Sequence, residues 1–167
     1  QFALFFPEKR PFFLEGADIL QSPMQAIYTR SVTDPAWGVR ATQRTGTFDG
    51  TVLVSRDEGG GLVLLPGTYG TGFAPQDFHS TASFARGRWQ ADGLTVGGLF
   101  TDRTIDGGAY NRVAGPDATW FPDTRNRLRA QLLGSWTTAR AVDGAIVKGD
   151  PAASHAALMD WTFHDSA

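Results

Sequence analysis

The chain has 167 residues, no cysteine and a formal net charge of −2. That length suits one domain with a real core, the missing cysteine excludes a disulfide framework and any Cys-ligated zinc or iron–sulfur site, and the charge balance offers no basic surface for nucleic acid. Charged residues make up 19% and glycine 20 of 167 positions, against averages of roughly 25% and about 7%, a balance that favours strands and turns over helices. In chain order, residues 1–36 read as an irregular leader: aromatic and leucine positions flank a Pro7-Glu8-Lys9-Arg10-Pro11 knot and continue into Phe12-Phe13-Leu14-Glu15. Helical spacing is weak over Gly16–Ala26, where Pro23 interrupts it. The N-terminus carries neither an initiator Met nor a signal pattern, and no run nears the length of a membrane helix. The chain is therefore expected to be a segment of a longer protein.

Residues 37–167 read as one antiparallel β-domain of about eight strands. Runs of 8–12 residues with alternating apolar and polar positions are separated by Gly, Asp, Asn and Pro clusters. Trp37, Val39 and Ala41 alternate with Arg40, Thr42 and Arg44, and after Thr45-Gly46 a second run carries Phe48, Gly50, Val52 and Val54 on one face. These two runs predict a hairpin. Further strands are expected at Leu62–Tyr69, Ser80–Gln90, Leu94–Thr101, Ala109–Phe121, Arg127–Arg140 and Ala156–His164, with turns at Ala91-Asp92-Gly93, Asp106-Gly107-Gly108, Pro122–Asn126 and Asp143-Gly144. Ten aromatics from Trp37 to Phe163 fall near the expected strand ends, where an interfacial ring would keep one edge wet.

Two stretches carry a family likeness. The Pro-Glu-Lys-Arg-Pro-Phe-Phe leader and the run Leu99-Phe100-Thr101-Asp102-Arg103 followed by Tyr110-Asn111-Arg112-Val113-Ala114-Gly115 resemble a family of uncharacterised bacterial envelope proteins, whose outer-membrane-type β-domain follows a family-9-like carbohydrate-binding domain. The likeness is best over residues 2–20 and 96–120, and its signature residues here are Pro7, Glu8, Lys9, Arg10, Pro11, Phe12, Phe13 and Glu15. It implies an antiparallel outer-membrane-type β-barrel or part of one, with lipid as the partner and glycans met through the neighbouring domain. The family's β-domain is longer than this chain, and Phe163-His164-Asp165-Ser166-Ala167 lacks the terminal aromatic common to such barrels, so the chain is expected to cover only the first part of a larger barrel.

Little in the sequence points to catalysis. His79, His155 and His164 are scattered, without the i, i+4 spacing of a metal-binding helix, so no metal site is expected. No Gly-x-Ser-x-Gly elbow is present, and the glycine clusters lack the Lys-Ser/Thr of a phosphate-binding loop. Glu8, Glu15 and Asp18 are the carboxylates that a glycosidase reading would use, but pairing of Glu8 or Glu15 with Lys9 or Arg10 is the stronger expectation. The pairs Arg40 and Arg44, Arg86 and Arg88, and Arg127 and Arg129 each share one strand face. In a barrel that face lines the interior, where arginines either attract anionic solutes or are neutralised by acids such as Asp49, Asp102 and Asp117. Salt-bridge ladders are the preferred reading.

The expectation is an all-β, non-enzymatic domain of the bacterial outer membrane, without cofactor, with the leader packed at the barrel mouth or against a periplasmic neighbour. It would anchor a glycan-binding module or pass a solute. The alternative is a soluble, periplasmic or secreted β-sandwich that stacks sugars on Trp89, Trp120 and Trp161.

Overall fold

The computed structural model describes residues 8–60, 62–67, 70–142 and 145–164; Pro7, Tyr69 at the end of an expected strand and the expected turn Asp143-Gly144 lie outside them. The protein is all-β. After a single helical turn α1 (Pro11–Leu14) and a 3-10 turn at Thr29–Ser31 come β1 (Pro35–Arg44), β2 (Phe48–Asp57), β3 (Leu62–Gly67), β4 (Gly70–Pro75), β5 (Ser80–Ala91), β6 (Leu94–Ile105), β7 (Tyr110–Trp120), β8 (Asn126–Val142) and β9 (Ala145–Phe163). Seven of these form one antiparallel meander in the order β1-β2-β5-β6-β7-β8-β9, and β3–β4 is a separate hairpin inserted between β2 and β5.

The sheet is open. Among the described residues β1 and β9 are its two edges, and with seven alternating strands they run in the same direction. Direct pairing of these edges would be parallel, so an all-antiparallel closure needs an odd number of further strands between them.

Connections differ sharply between the two ends of the sheet. At one end they are short: Thr45–Thr47, closed by the Thr45 and Phe48 backbones at 2.8 Å, Asp92-Gly93, and Phe121–Arg125. Asp92 and Gly93 both have positive φ, 47° and 78°, as a two-residue I′ hairpin requires. In the third turn the Asp123 Oδ1 accepts the backbone N–H groups of Arg125 and Asn126, each at 2.8 Å. The other end carries the β3–β4 insertion, the Asp106–Ala109 turn and the long β8–β9 ladder.

Two expectations need correction. Among the described residues there are nine strands where about eight were expected, since Leu62–Gly67 is a short strand followed by a second one at Gly70–Pro75. The last strand begins at Ala145 rather than Ala156, its register shifting between Thr137 and Ala139 so that Pro151 falls outside the recorded pairs; proline has no N–H to give the ladder. Pro116 is accommodated likewise: β7–β8 pairing skips from Ala114↔Gly134 to Asp117↔Gln131. Residues 16–26, whose helical spacing is weak and interrupted at Pro23, form no helix.

Register sorts every strand into two faces. One holds Arg40, Thr51, Leu53, Phe84, Arg86, Leu99, Thr101, Asp117 and Gln131, and the core lies on it: Leu53, Ala82, Phe84 and Leu99 pack against Phe13, Leu20, Ile27 and Val32 of the leader. The leader thus runs along this inner face, which corrects its expected place at a mouth or on a neighbour. Burying its apolar side chains is what holds it there, each contributing about 1.5–3 kcal/mol.

Candidate functional site

The two ends of the leader are tied to each other. Glu8 accepts hydrogen bonds from Arg10 Nε (2.9 Å) and Nη2 (2.8 Å), from the Arg10 backbone (3.1 Å) and from the Thr29 hydroxyl (3.0 Å). Burial pushes the Glu8 carboxyl up, but those hydrogen bonds together outweigh it and bring it down to about 2. Arg10 also donates to the carbonyls of Val32 (2.7 Å) and Thr29 (3.2 Å) and stacks 4.1 Å over the Phe13 ring. Pro11 opens α1, where its fixed φ suits the first helical position. Phe12 meets Phe13 edge to face at 5.1 Å and lies so close to Gly38 that a Cβ there would sit 2.8 Å from its ring. Lys9 and Glu15 point outward and are exposed.

All six expected arginines fall on the inner face, and four of them reach the leader. Arg40 donates to the Phe12 carbonyl at 2.9 Å and to Thr51 at 3.2 Å. Arg44 grips Asp18 with two hydrogen bonds of 3.0 and 2.6 Å, and this holds the Asp18 carboxyl below its ordinary range. Arg88 lies between Asp49 (2.9 Å) and Asp18 (3.4 Å). Arg86 pairs in bidentate fashion with Asp117, both side chains under 5% exposed, and donates through Nε to the Gln21 carbonyl at 3.0 Å. Gly97 on β6 makes that span possible, since a Cβ there would lie 3.2 Å from the Arg86 guanidinium. Arg127 and Arg129 stay within the sheet, donating to Thr162 (3.2 Å) and Asp160 (2.6 Å).

Of the three acids expected to neutralise this face, Asp49 and Asp117 do so. Asp102 lies on the opposite face, paired with Arg112 at 2.6 Å. The sequence reading missed three participants. Arg103 donates to the Ser31 carbonyl at 2.6 Å and stands 3.5 Å from Asp57; Asp57, fully buried, accepts from Asp34 N (2.8 Å) and Gln76; Gln131 accepts from Met24 N at 2.6 Å. The phase of Arg103, two residues beyond inward Thr101, was the available signal for it.

The outer face is built the other way. All five tryptophans lie on it by register or alternation. At the short-turn end stand Phe48, Trp89, Trp120, Trp161 and Phe163, with the Trp161 indole N–H donating to Asn126 at 2.9 Å. At the other end Trp37, Tyr110 and Trp136 accompany Arg56, Asp102 and Arg112, and the Arg112 guanidinium sits 4.3 Å over the Tyr110 ring. Between them lie Val39 (66% exposed), Val52, Val96, Phe100, Leu132 (60%) and Met159 (81%). From Leu128 to Trp136 is eight residue steps along β8, or about 27 Å at ~3.4 Å per residue.

The three histidines do not converge: His79 is 3.5 Å from Glu58, His155 faces outward opposite Gly134, and the His164 backbone bonds Arg125. Among the described residues no group of acids and histidines is placed to hold a metal, and no helix is long and apolar enough to cross a membrane. Fold and site together define an open antiparallel sheet whose inner face, packed under the leader, combines an apolar core with ion pairs, and whose outer face, uncovered by the described residues, is rich in aliphatic and aromatic side chains. Compared with protein-family models, curated proteins and solved structures, the chain matches none.

Proposed function

We propose that the seven-stranded sheet is the lipid-crossing wall of a bacterial outer-membrane β-barrel, or a part of one, and that it serves the envelope as an anchor or passage rather than as an enzyme. The observation that carries this reading is the inverted polarity of the sheet: Arg86 and Asp117 are buried together while Leu132, Met159 and Trp161 are exposed. Barrel walls in lipid have this construction, with an apolar outward band about 25 Å tall, aromatic girdles at both rims and a polar interior. At a strand tilt of ~40° the β8 band rises about 21 Å, close to that height. The short turns at one end and long excursions at the other fit the same pattern. So does the likeness of residues 2–20 and 96–120 to the envelope family.

The rival reading, a soluble sandwich that binds sugars, draws on the placement of Trp89, Trp120 and Trp161 on one face and at one end. A sandwich needs a second sheet over its apolar face, and the one other sheet among the described residues is the two-stranded β3–β4 hairpin. Refolding of the chain with and without detergent, followed by far-ultraviolet circular dichroism, separates the two. The barrel reading expects β-structure only in micelles; monodisperse β-structure in plain buffer overturns it.

A further inference from the structure

Where all seven strands run side by side, the inner face carries seven arginines (Arg40, Arg44, Arg86, Arg88, Arg103, Arg127 and Arg129) against four aspartates (Asp49, Asp57, Asp117 and Asp160). Four cations have a carboxylate within the wall: Arg86 has Asp117, Arg129 has Asp160, Arg88 has Asp49 at 2.9 Å and Arg103 has Asp57 at 3.5 Å. The leader adds further partners to this face, mostly neutral ones. Arg40 and Arg103 receive the carbonyls of Phe12 and Ser31, and Arg44 and Arg88 share the single carboxylate of Asp18. Arg40 Nη2 is buried without a hydrogen-bond acceptor among the described residues, and Arg103 Nη1 has the Asp57 carboxylate only at 3.5 Å. A guanidinium bonds an oxyanion far more strongly than a neutral carbonyl, so this ladder is under-satisfied by the segment that covers it.

We propose that Arg44 and Arg88, which flank Asp49 in one row of the sheet, form a binding site for small oxyanions, and that the leader is a displaceable plug whose Asp18 carboxylate occupies the place of the solute between them. This rests on the barrel reading, which makes the inner face a lumen. The latch is suited to release: Arg44 and Asp18 are about half exposed, and exposed pairs hold weakly and are screened by salt. Carboxylate or phosphate oxygens entering from the short-turn end would meet Arg44 and Arg88 first.

The test uses the full chain refolded in micelles, with β-structure checked by circular dichroism before any ligand is added, so that loss of the barrel reading is recognised at that step. Inorganic phosphate is then titrated by calorimetry into the parent, Asp18→Asn, and Asp18→Asn/Arg44→Gln, with glucose as the uncharged control, and amide exchange of Phe13 and Ile19 is followed. The expected result is phosphate binding about threefold to fivefold tighter in Asp18→Asn than in the parent, the size of a lost exposed pair. The gain should vanish in the double variant, and both amides should exchange faster at saturating phosphate. Equal phosphate affinity in parent and Asp18→Asn, a gain retained without Arg44, or leader amides indifferent to phosphate would each overturn the proposal.

Discussion

Along β5, Ala82, Phe84 and Arg86 are buried beneath the leader, whereas Ala85, Gly87 and Trp89, one position out of phase, face outward, and Trp89 is about half exposed. The same comparison holds on β8, where Gln131 is buried while its neighbour Leu132 is exposed. In a water-soluble sheet the face that is shielded is the apolar one. Here the shielded face combines an apolar core with buried ion pairs such as Arg86–Asp117, while the bare face still carries a band of aliphatic and aromatic side chains between its few charged groups. An arginine inside is stabilised only by a specific partner, whereas a leucine outside is stabilised only if its surroundings are not water.

The sharpest way to break the inner face is Asp117→Ala. It leaves the Arg86 guanidinium buried and uncompensated, a loss of about 3–5 kcal/mol in urea unfolding of the micelle-folded protein. Replacing both residues by leucine is expected to cost far less than the single change. Phe13→Ala is of similar size, about 3–5 kcal/mol, but is expected to appear first as protease cleavage within the leader with the sheet's circular dichroism retained. The outer face is probed by Leu132→Arg. A cation near the centre of a lipid-facing band costs about 2–4 kcal/mol, while the same change on a water-facing surface stays within ~0.5 kcal/mol; unfolding in lipid vesicles reads the difference. Gly97→Val sharpens the inner side, since its side chain intrudes on the Arg86 guanidinium, at about 1–3 kcal/mol for overpacking.

The smallest effect is on pH. The folded Glu8 carboxyl lies at about 2, below its ordinary value, so its contribution to holding the leader is complete above the ordinary carboxylate range. It is lost as the pH falls toward 2. Amide exchange in the leader is expected to rise over that window in the parent and to be flatter in Glu8→Gln.

How legible this was in the sequence follows from the physics of each part. Period-two alternation located β1, β2, β5, β6, β7 and most of β8 to within a few residues, because each has one apolar and one polar face. It could not locate Ala145–His155, where Pro151 and a register shift break the alternation. It also could not say which face is buried. That is decided by Phe13, Ile19, Leu20, Ile27 and Val32, which follow no period because the leader has no regular structure. The arginine faces were readable from i, i+2 and i, i+4 spacing, but their partners Asp18, Gln21 and Ser31 come from 26 to 72 positions away. Asp102 was misassigned because an acid near an arginine in sequence says nothing about phase unless the parity is followed through the turn.

The most direct measurement of the central claim uses the five outward tryptophans and no mutation. The chain is refolded into vesicles whose acyl chains carry bromine, and tryptophan emission is recorded against unbrominated vesicles. Lipid contact of the outer face predicts blue-shifted emission that the bromolipid quenches strongly in parallel with the appearance of β-structure. A β-folded chain whose emission stays red and indifferent to bromine would contradict it.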